Sequence, residues 1–271
     1  MGWQKPAIAL TARLVPFRST AASSGRISEP GRFGPLCEGR HAMGRNGTSV
    51  ARVLTLTRTD PSAMGLALEE AGRIAQAGGV LAVPTESFYA LGASVGCAAR
   101  QVEAIGRVCR IKGRGDGKPL LVLIADHAQL DSLVASVPRA ATVLMQQFWP
   151  GPLTIVFPAA EGLPDELTAG TGTVGIRLSA YPLLQEVLRR TGPLTGTSAN
   201  RSGAPPARTA EEVDQAVGDE VDMILDGGPT PAARPSTVVD VSGAVRVLRE
   251  GPIASAQILA VLAEAGLASS L

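Results

Sequence analysis

The chain has 271 residues, 45% of them apolar and 3% aromatic, enough to bury a sizeable core in one large domain or two small ones. No apolar run approaches the roughly 18–20 residues needed to cross a bilayer, which argues against a membrane-spanning helix. The formal charge of +1 hides an asymmetry: residues 1–58 hold nine Lys/Arg and two acids, residues 59–271 sixteen and twenty-two. An anion site in the globular part therefore has to be a local cluster.

Residues 1–50 lack sustained periodicity, are rich in Arg, Gly, Ser and Ala, and carry no acid before Glu29. That composition fits a mitochondrial-type transit peptide, a disordered tail, or an upstream extension ahead of a true start at Met43. Cys37, Cys97 and Cys109 show no metal-ligand spacing and cannot all pair within the chain, so they read as reduced thiols of a cytosolic-type compartment.

Order begins at Val53. "VLTL" is a strand. Asp60-Pro61 is an N-cap followed by proline at the first helical position, and Gly78-Gly79 closes that helix. "VLAV" (80–83) is a short strand, apolar on both faces as a buried strand is. A helix is expected over 98–110, a buried strand over 120–124, and a helical region over 126–148 broken near Pro138. Strands follow at 154–157 and 173–178, then a helix over 182–190. "PLTGTSAN" (193–200) reads as a strand running into a loop. Thr209 with Glu212 makes a capping box for a short helix. Strands recur at 222–226, 236–241 and 244–248, before a last helix from about Ser255. The alternation predicts a single α/β domain over 51–258 with a mixed, twisted sheet, and a helix end and tail over 259–271.

The stretch "RIKGRGDGKPLLVLI" (110–124) invites comparison with a phosphate-binding P-loop. It fails that test. Gly113 and Gly117 are too close, Lys118 is followed by Pro119 rather than a hydroxyl residue, and the segment runs helix to strand instead of strand to helix. Lys112 and Arg114 nonetheless point to one side of an extended segment, an ammonium beside a guanidinium, which suits a polyphosphate. Read alone, the stretch fits a solvated basic turn better than a site. Other segments resist a bland reading. Thr85, Glu86 and Ser87 sit at the C-terminal end of a buried strand, where open α/β sheets bind ligands. "TGTSANRSG" offers Thr197, Ser198, Asn200 and Ser202 as a neutral hydrogen-bonding set. Arg177 lies in an otherwise apolar strand, and arginine is rarely buried unpaired. Ser236 starts one strand and Arg249 ends another. His41 and His127 are the only histidines, so metal-hydrolase and Ser-His-Asp chemistry are poorly supported.

Taken together, "PTESFYALG", "IKGR" with "KPL", "FWPGPLT", "TVGIR", "TSANRSG", "STVVD" and "LREG" resemble the YrdC-like threonylcarbamoyl-AMP synthases over about residues 53–255. The paired signature of that family, Lys-x-Arg and Ser-x-Asn, stands here as Lys112-Gly113-Arg114 and Ser198-Ala199-Asn200, the expected catalytic set. The resemblance implies an α/β fold around a large concave cleft. It implies a nucleotidyl transfer in which L-threonine, bicarbonate and ATP give threonylcarbamoyl-adenylate and pyrophosphate. A partner transferase then passes the group to tRNA that reads ANN codons. By the family's pattern, Lys112, Arg114 and Lys118 hold the ATP phosphates, with Mg2+ bridging phosphates and no protein side chain ligating it. Thr173, Asn200, Arg208 and Arg249 contact the nucleotide. Thr85, Arg177, Ser198 and Ser236 hold threonine, with Arg177 on its carboxylate.

Three positions depart from the pattern: Gly115 where proline is common, Leu123 where longer members carry histidine, and Ser87 where threonine is usual. The chain also ends soon after Gly251, where longer members continue into a second domain. The implied location is cytoplasmic, with mitochondrial targeting by residues 1–50 as the variant. Two alternatives share the fold. A non-catalytic member would bind tRNA or double-stranded RNA through the basic cleft, and a carbamoyl-adenylate module of hydrogenase maturation would sit within a much larger chain.

Overall fold

The computed structural model describes residues 51–113, 119–231 and 234–267. The expectations for residues 1–50 and for Arg114, Gly115 and Lys118 lie outside them. Strand β1 (Arg52–Thr55) leads into α1 (Pro61–Gln76). The Asp60 carboxylate accepts the N–H groups of Ser62 and Ala63, both at 3.0 Å, so two orphan donors of the first turn are met. At Gly78 the chain leaves the helix with φ 84°, and a Cβ there would lie 2.6 Å from the Arg100 carbonyl oxygen. Only glycine meets both conditions.

Strand β2 (Val80–Val83) is buried at all four positions. It turns back into β3 (Ala90–Ala93), a strand that the sequence does not announce, because "ALGA" contains no β-branched or aromatic residue. Its state comes from antiparallel pairing with β2. Next come α2 (Ala99–Ile111), β4 (Leu121–Ile124), a 3-10 turn at His127–Leu130 and α3 (Arg139–Phe148), which starts directly after Pro138. Strand β5 (Leu153–Pro158), the short α4 (Asp165–Thr168), β6 (Thr173–Leu178) and α5 (Pro182–Thr191) complete the middle. Strands β7 (Leu194–Thr195) and β8 (Thr197–Ser198) flank Gly196. Helix α6 (Ala210–Val217), β9 (Met223–Asp226), β10 (Thr237–Asp240), β11 (Arg246–Arg249) and α7 (Ser255–Glu264) follow. Thr209 caps α6 by accepting the Glu212 N–H at 3.1 Å. The Glu212 carboxylate reaches one residue further back than a capping box requires, to the Arg208 N–H at 2.6 Å.

The α/β class and the mixed pairing hold, and the strands divide between two sheets. One runs β1-β9-β2-β3-β8, the other β11-β10-β5-β6-β4-β7. Residues 194–198 serve both: β7 pairs with β4 in the second sheet and β8 with β3 in the first. Gly196 makes the crossing feasible. A Cβ there would stand 2.6 Å from Leu123 Cγ, so any side chain would displace the β4 floor. The fully buried Thr195 replaces missing ladder bonds: its hydroxyl donates to the Leu91 carbonyl at 3.0 Å and accepts the Ala93 N–H at 2.9 Å. Among the described residues, two apolar clusters form the core. The smaller lies under α1 and α5, including Ala71, Ile74, Val187 and Leu188, against Leu81 and Met223 of the first sheet. The larger gathers α2, α3, α6 and α7 around Ile105, Leu144, Val213 and Leu262.

Replacing Thr195 by valine keeps the volume but strands a buried N–H and a buried carbonyl on β3. Chemical denaturation should show a loss of about 1–3 kcal/mol, and Thr195→Ser, which keeps the hydroxyl, should lose less. Equal loss in both would mean that the methyl group, not the hydroxyl, joins the sheets.

Candidate functional site

Because side chains alternate along a strand, every second residue of the second sheet faces the same way. Leu121 and Leu123 of β4, Gly175 and Arg177 of β6, and Thr154 and Val156 of β5 thereby form the floor of a cavity of about 700 Å³. Val238 and Asp240 of β10, with Ser236 just before that strand, extend it. Register places Leu123 beside Arg177, and Val238 opposite Arg249 of β11. The walls come from the first sheet: Thr85, Ser87 and Phe88 from the β2–β3 connection, and Gly196, Thr197 and Ser198 from the crossing.

Arg177 is 4% exposed. Its Nε donates to the Gly151 carbonyl at 3.1 Å, and its Nη2 pairs with Glu86 Oε1. The other Glu86 oxygen accepts from the Ser179 hydroxyl at 2.8 Å. Burial pushes the guanidinium below its ordinary pKa, and the Glu86 charge opposes that shift. Arg249 donates from Nε and Nη2 to the Ser236 carbonyl at 3.1 and 2.9 Å. Its pKa is lowered as well, first by burial and then by the like charge of Arg177. Ser236, 2% exposed, shares a hydrogen bond of 2.8 Å with Thr154. Its backbone is set by the chain returning after β11: the Thr237 hydroxyl accepts the N–H groups of Gly251 and Ile253 at 2.9 and 3.1 Å and donates to the Ile253 carbonyl at 2.7 Å. A Cβ at Gly251 would lie 2.4 Å from the Pro235 carbonyl oxygen, so the two backbones touch there. Asp240 shows opposed effects. Burial would raise its pKa, but hydrogen bonds from Ser242 and the pairing with Arg246 hold it below the usual carboxylate range.

Lys112 closes α2 and is 3% exposed. Its ammonium donates to the carbonyls of Ser198 and Asn200 at 2.7 and 2.6 Å and to Asn200 Oδ1 at 2.8 Å, with the Ser198 hydroxyl at 3.3 Å. Asn200 Oδ1 also accepts from the Ser198 hydroxyl at 2.6 Å, and its Nδ2 donates to the Arg201 and Ala204 carbonyls. The Lys-x-Arg and Ser-x-Asn stretches, 88 residues apart, are thus tied at one point.

Of the residues expected to form the site, Thr85, Thr173, Arg177, Ser198, Ser236 and Arg249 line the cavity. Lys112 and Asn200 stand behind Ser198. Arg208 is exposed and outside the lining, its guanidinium 3.4 Å from the Thr230 carbonyl. Arg114 and Lys118 lie outside the described residues. The Thr85 hydroxyl holds its own turn, accepting from the Ser87 and Phe88 N–H groups and donating to the Phe88 carbonyl. Sequence reasoning noted Glu86 as polar but gave it no partner, and it passed over Thr154 and Asp240. The signal for the last two was a lone polar residue on the cavity-facing side of a largely apolar strand. His127 starts the 3-10 turn with its ring 6.0 Å from that of Trp149, a packing contact.

Residues 73–251 match the Sua5/YciO/YrdC family model, described as telomere recombination. The chain is 39% identical over 171 residues to a threonylcarbamoyl-AMP synthase of Pseudomonas aeruginosa, covering 63% of this chain and 90% of that protein. It is 37% identical over 210 residues to the Bacillus subtilis threonylcarbamoyl-AMP synthase, covering 76% of this chain and 58% of that one. Pyrococcus abyssi Sua5 complexed with L-threonine superposes with a TM-score of 0.70 at 32% identity, over 78% of this chain. The chain spans 61% of that protein, and all of Escherichia coli YciO, which superposes at 0.68 with 27% identity. Matched along about two thirds of its length, and superposing on its solved relatives, the chain belongs to the Sua5/YciO/YrdC family.

Proposed function

We propose that the protein is a threonylcarbamoyl-AMP synthase. The observation that carries this is the buried Arg177, tethered by Glu86 and Gly151 on the floor of a hydroxyl-lined cavity of about 700 Å³. Such a group is built to receive a small carboxylate. Two of the relatives named above are threonylcarbamoyl-AMP synthases, and Pyrococcus abyssi Sua5 is solved with L-threonine.

In this reading Arg177 takes the threonine carboxylate, with Thr85, Ser198 and Ser236 around the amino acid. Arg249 and Thr173 face the nucleotide, as do Asn200 and Arg208 from outside the cavity lining. Lys112, Arg114 and Lys118 attend the triphosphate. The threonine amine adds to carbon dioxide, supplied by bicarbonate, and loses a proton to give a carbamate. A carbamate oxygen then attacks the α-phosphorus of ATP, the bond to the β-phosphate oxygen breaks, and pyrophosphate leaves. The protein's contribution is position and charge: it aligns two anions whose approach water would disfavour. Among the described residues no group of three or more His, Cys, Asp or Glu side chains could hold a metal ion. In this reading Mg2+ would be carried in on the ATP phosphates. The product is a mixed anhydride that a tRNA threonylcarbamoyl transferase would consume, in a cytoplasmic setting. No described helix is long and apolar enough to cross a membrane.

Pyrophosphate release from ATP should require both L-threonine and bicarbonate. Release indifferent to threonine would sink this reading, and no release from folded protein that binds double-stranded RNA would favour the non-catalytic alternative. Arg177→Ala should lower kcat/KM for threonine by about 10- to 150-fold, the loss of a charged hydrogen bond worth about 1.5–3 kcal/mol, with KM for ATP little changed. Lys112→Ala and Arg114→Ala should each slow the reaction tenfold or more, about 1.4 kcal/mol. Near-normal rates in both would place the triphosphate elsewhere.

A further inference from the structure

The cavity must sort two anionic substrates, and its cations are not equally neutralised. Arg177 is matched by Glu86, and Arg246, outside the lining, by Asp240 at 2.8 Å. Arg249 rests on the Ser236 carbonyl, and among the described residues no carboxylate pairs with it. Glu86 does not line the cavity. It stands behind Arg177, 91 residues away in sequence, and its second oxygen is fixed by Ser179, whose hydroxyl also accepts the Tyr181 N–H at 3.1 Å. The pair leaves Arg177 with N–H groups to offer but little net charge.

We infer that Glu86 is a positioning residue that sets anion specificity: it neutralises Arg177, so that this end of the cavity takes a single carboxylate by directed hydrogen bonds and refuses a polyphosphate. A triphosphate carries several negative charges and gains more than a monocarboxylate from each unit of positive potential. An unbalanced Arg177 would therefore attract the nucleotide's phosphates to the amino-acid position. A balanced one keeps its directional donors and loses that pull. The inference rests on the reading of Arg177 as the partner of the threonine carboxylate.

The test is calorimetric binding of L-threonine to the full chain, with and without inorganic tripolyphosphate. Glu86→Gln keeps an oxygen acceptor for Arg177 and removes the charge. Glu86→Ala would leave a buried guanidinium uncompensated and risks unfolding. In Glu86→Gln, tripolyphosphate should weaken threonine binding at least fivefold more than it does in the wild type, and competitively. Equal weakening would overturn the inference, as would a wild type that binds no threonine. The double variant Glu86→Gln/Arg177→Gln keeps the cavity's charge balance and serves if the single variant does not fold. Its tripolyphosphate affinity should lie within twofold of wild type, and a tenfold loss would make Arg177 a polyphosphate contact and overturn the inference. Pyrophosphate release by the wild type reports separately on the synthase reading: threonine bound without turnover sinks that reading and leaves the sorting test intact.

Discussion

Everything in the cleft depends on the chain crossing from one sheet to the other at Thr195, Gly196 and Thr197. A sheet cannot simply be abandoned, because the strand left behind exposes unpaired backbone groups. Here the Thr195 side chain satisfies β3 while its backbone pairs with β4. Gly196 passes over Leu123 without a side chain. Two residues later the chain is pairing with β3 itself. The cavity lies between the floor of one sheet and the last strands of the other, so this crossing sets its depth.

The same segment then carries the polar residues. Ser198 and Asn200 follow the crossing immediately, and the Lys112 ammonium binds their carbonyls and the Asn200 side chain. A buried lysine needs such compensation. In exchange it fixes the end of α2 to the sheet crossing. Lys112 and the Ser-x-Asn stretch are therefore one structural unit, with a cation at its centre.

Much of this was legible in the sequence where the cause is local. The Asp60-Pro61 cap, the wholly apolar "VLAV", the break at Pro138 and the Thr209 cap each need only neighbouring residues to take effect. Strand β3 was not legible, since "ALGA" becomes a strand through its partners rather than its side chains. Nor was the division into two sheets, which turns on a glycine and a threonine that look ordinary in "PLTGTSAN". At the site, Arg177 announced itself as a charge in an apolar strand. Its counterion Glu86 did not, because an ion pair spanning 91 residues leaves no periodic trace. The resemblance supplied residue types in order, and the geometry shows which of them share a wall.

The return of the chain after β11 has a bearing on how the protein can be handled. Gly251 and Ile253 clamp Thr237, and their backbone lies against Pro235 and Ser236 at the edge of the cavity. These residues look like a connector to α7, yet they are a buttress of the substrate chamber. A fusion junction, protease site or affinity tag inserted between 250 and 253 would disturb the chamber wall, whereas one placed beyond α7 would leave that contact whole.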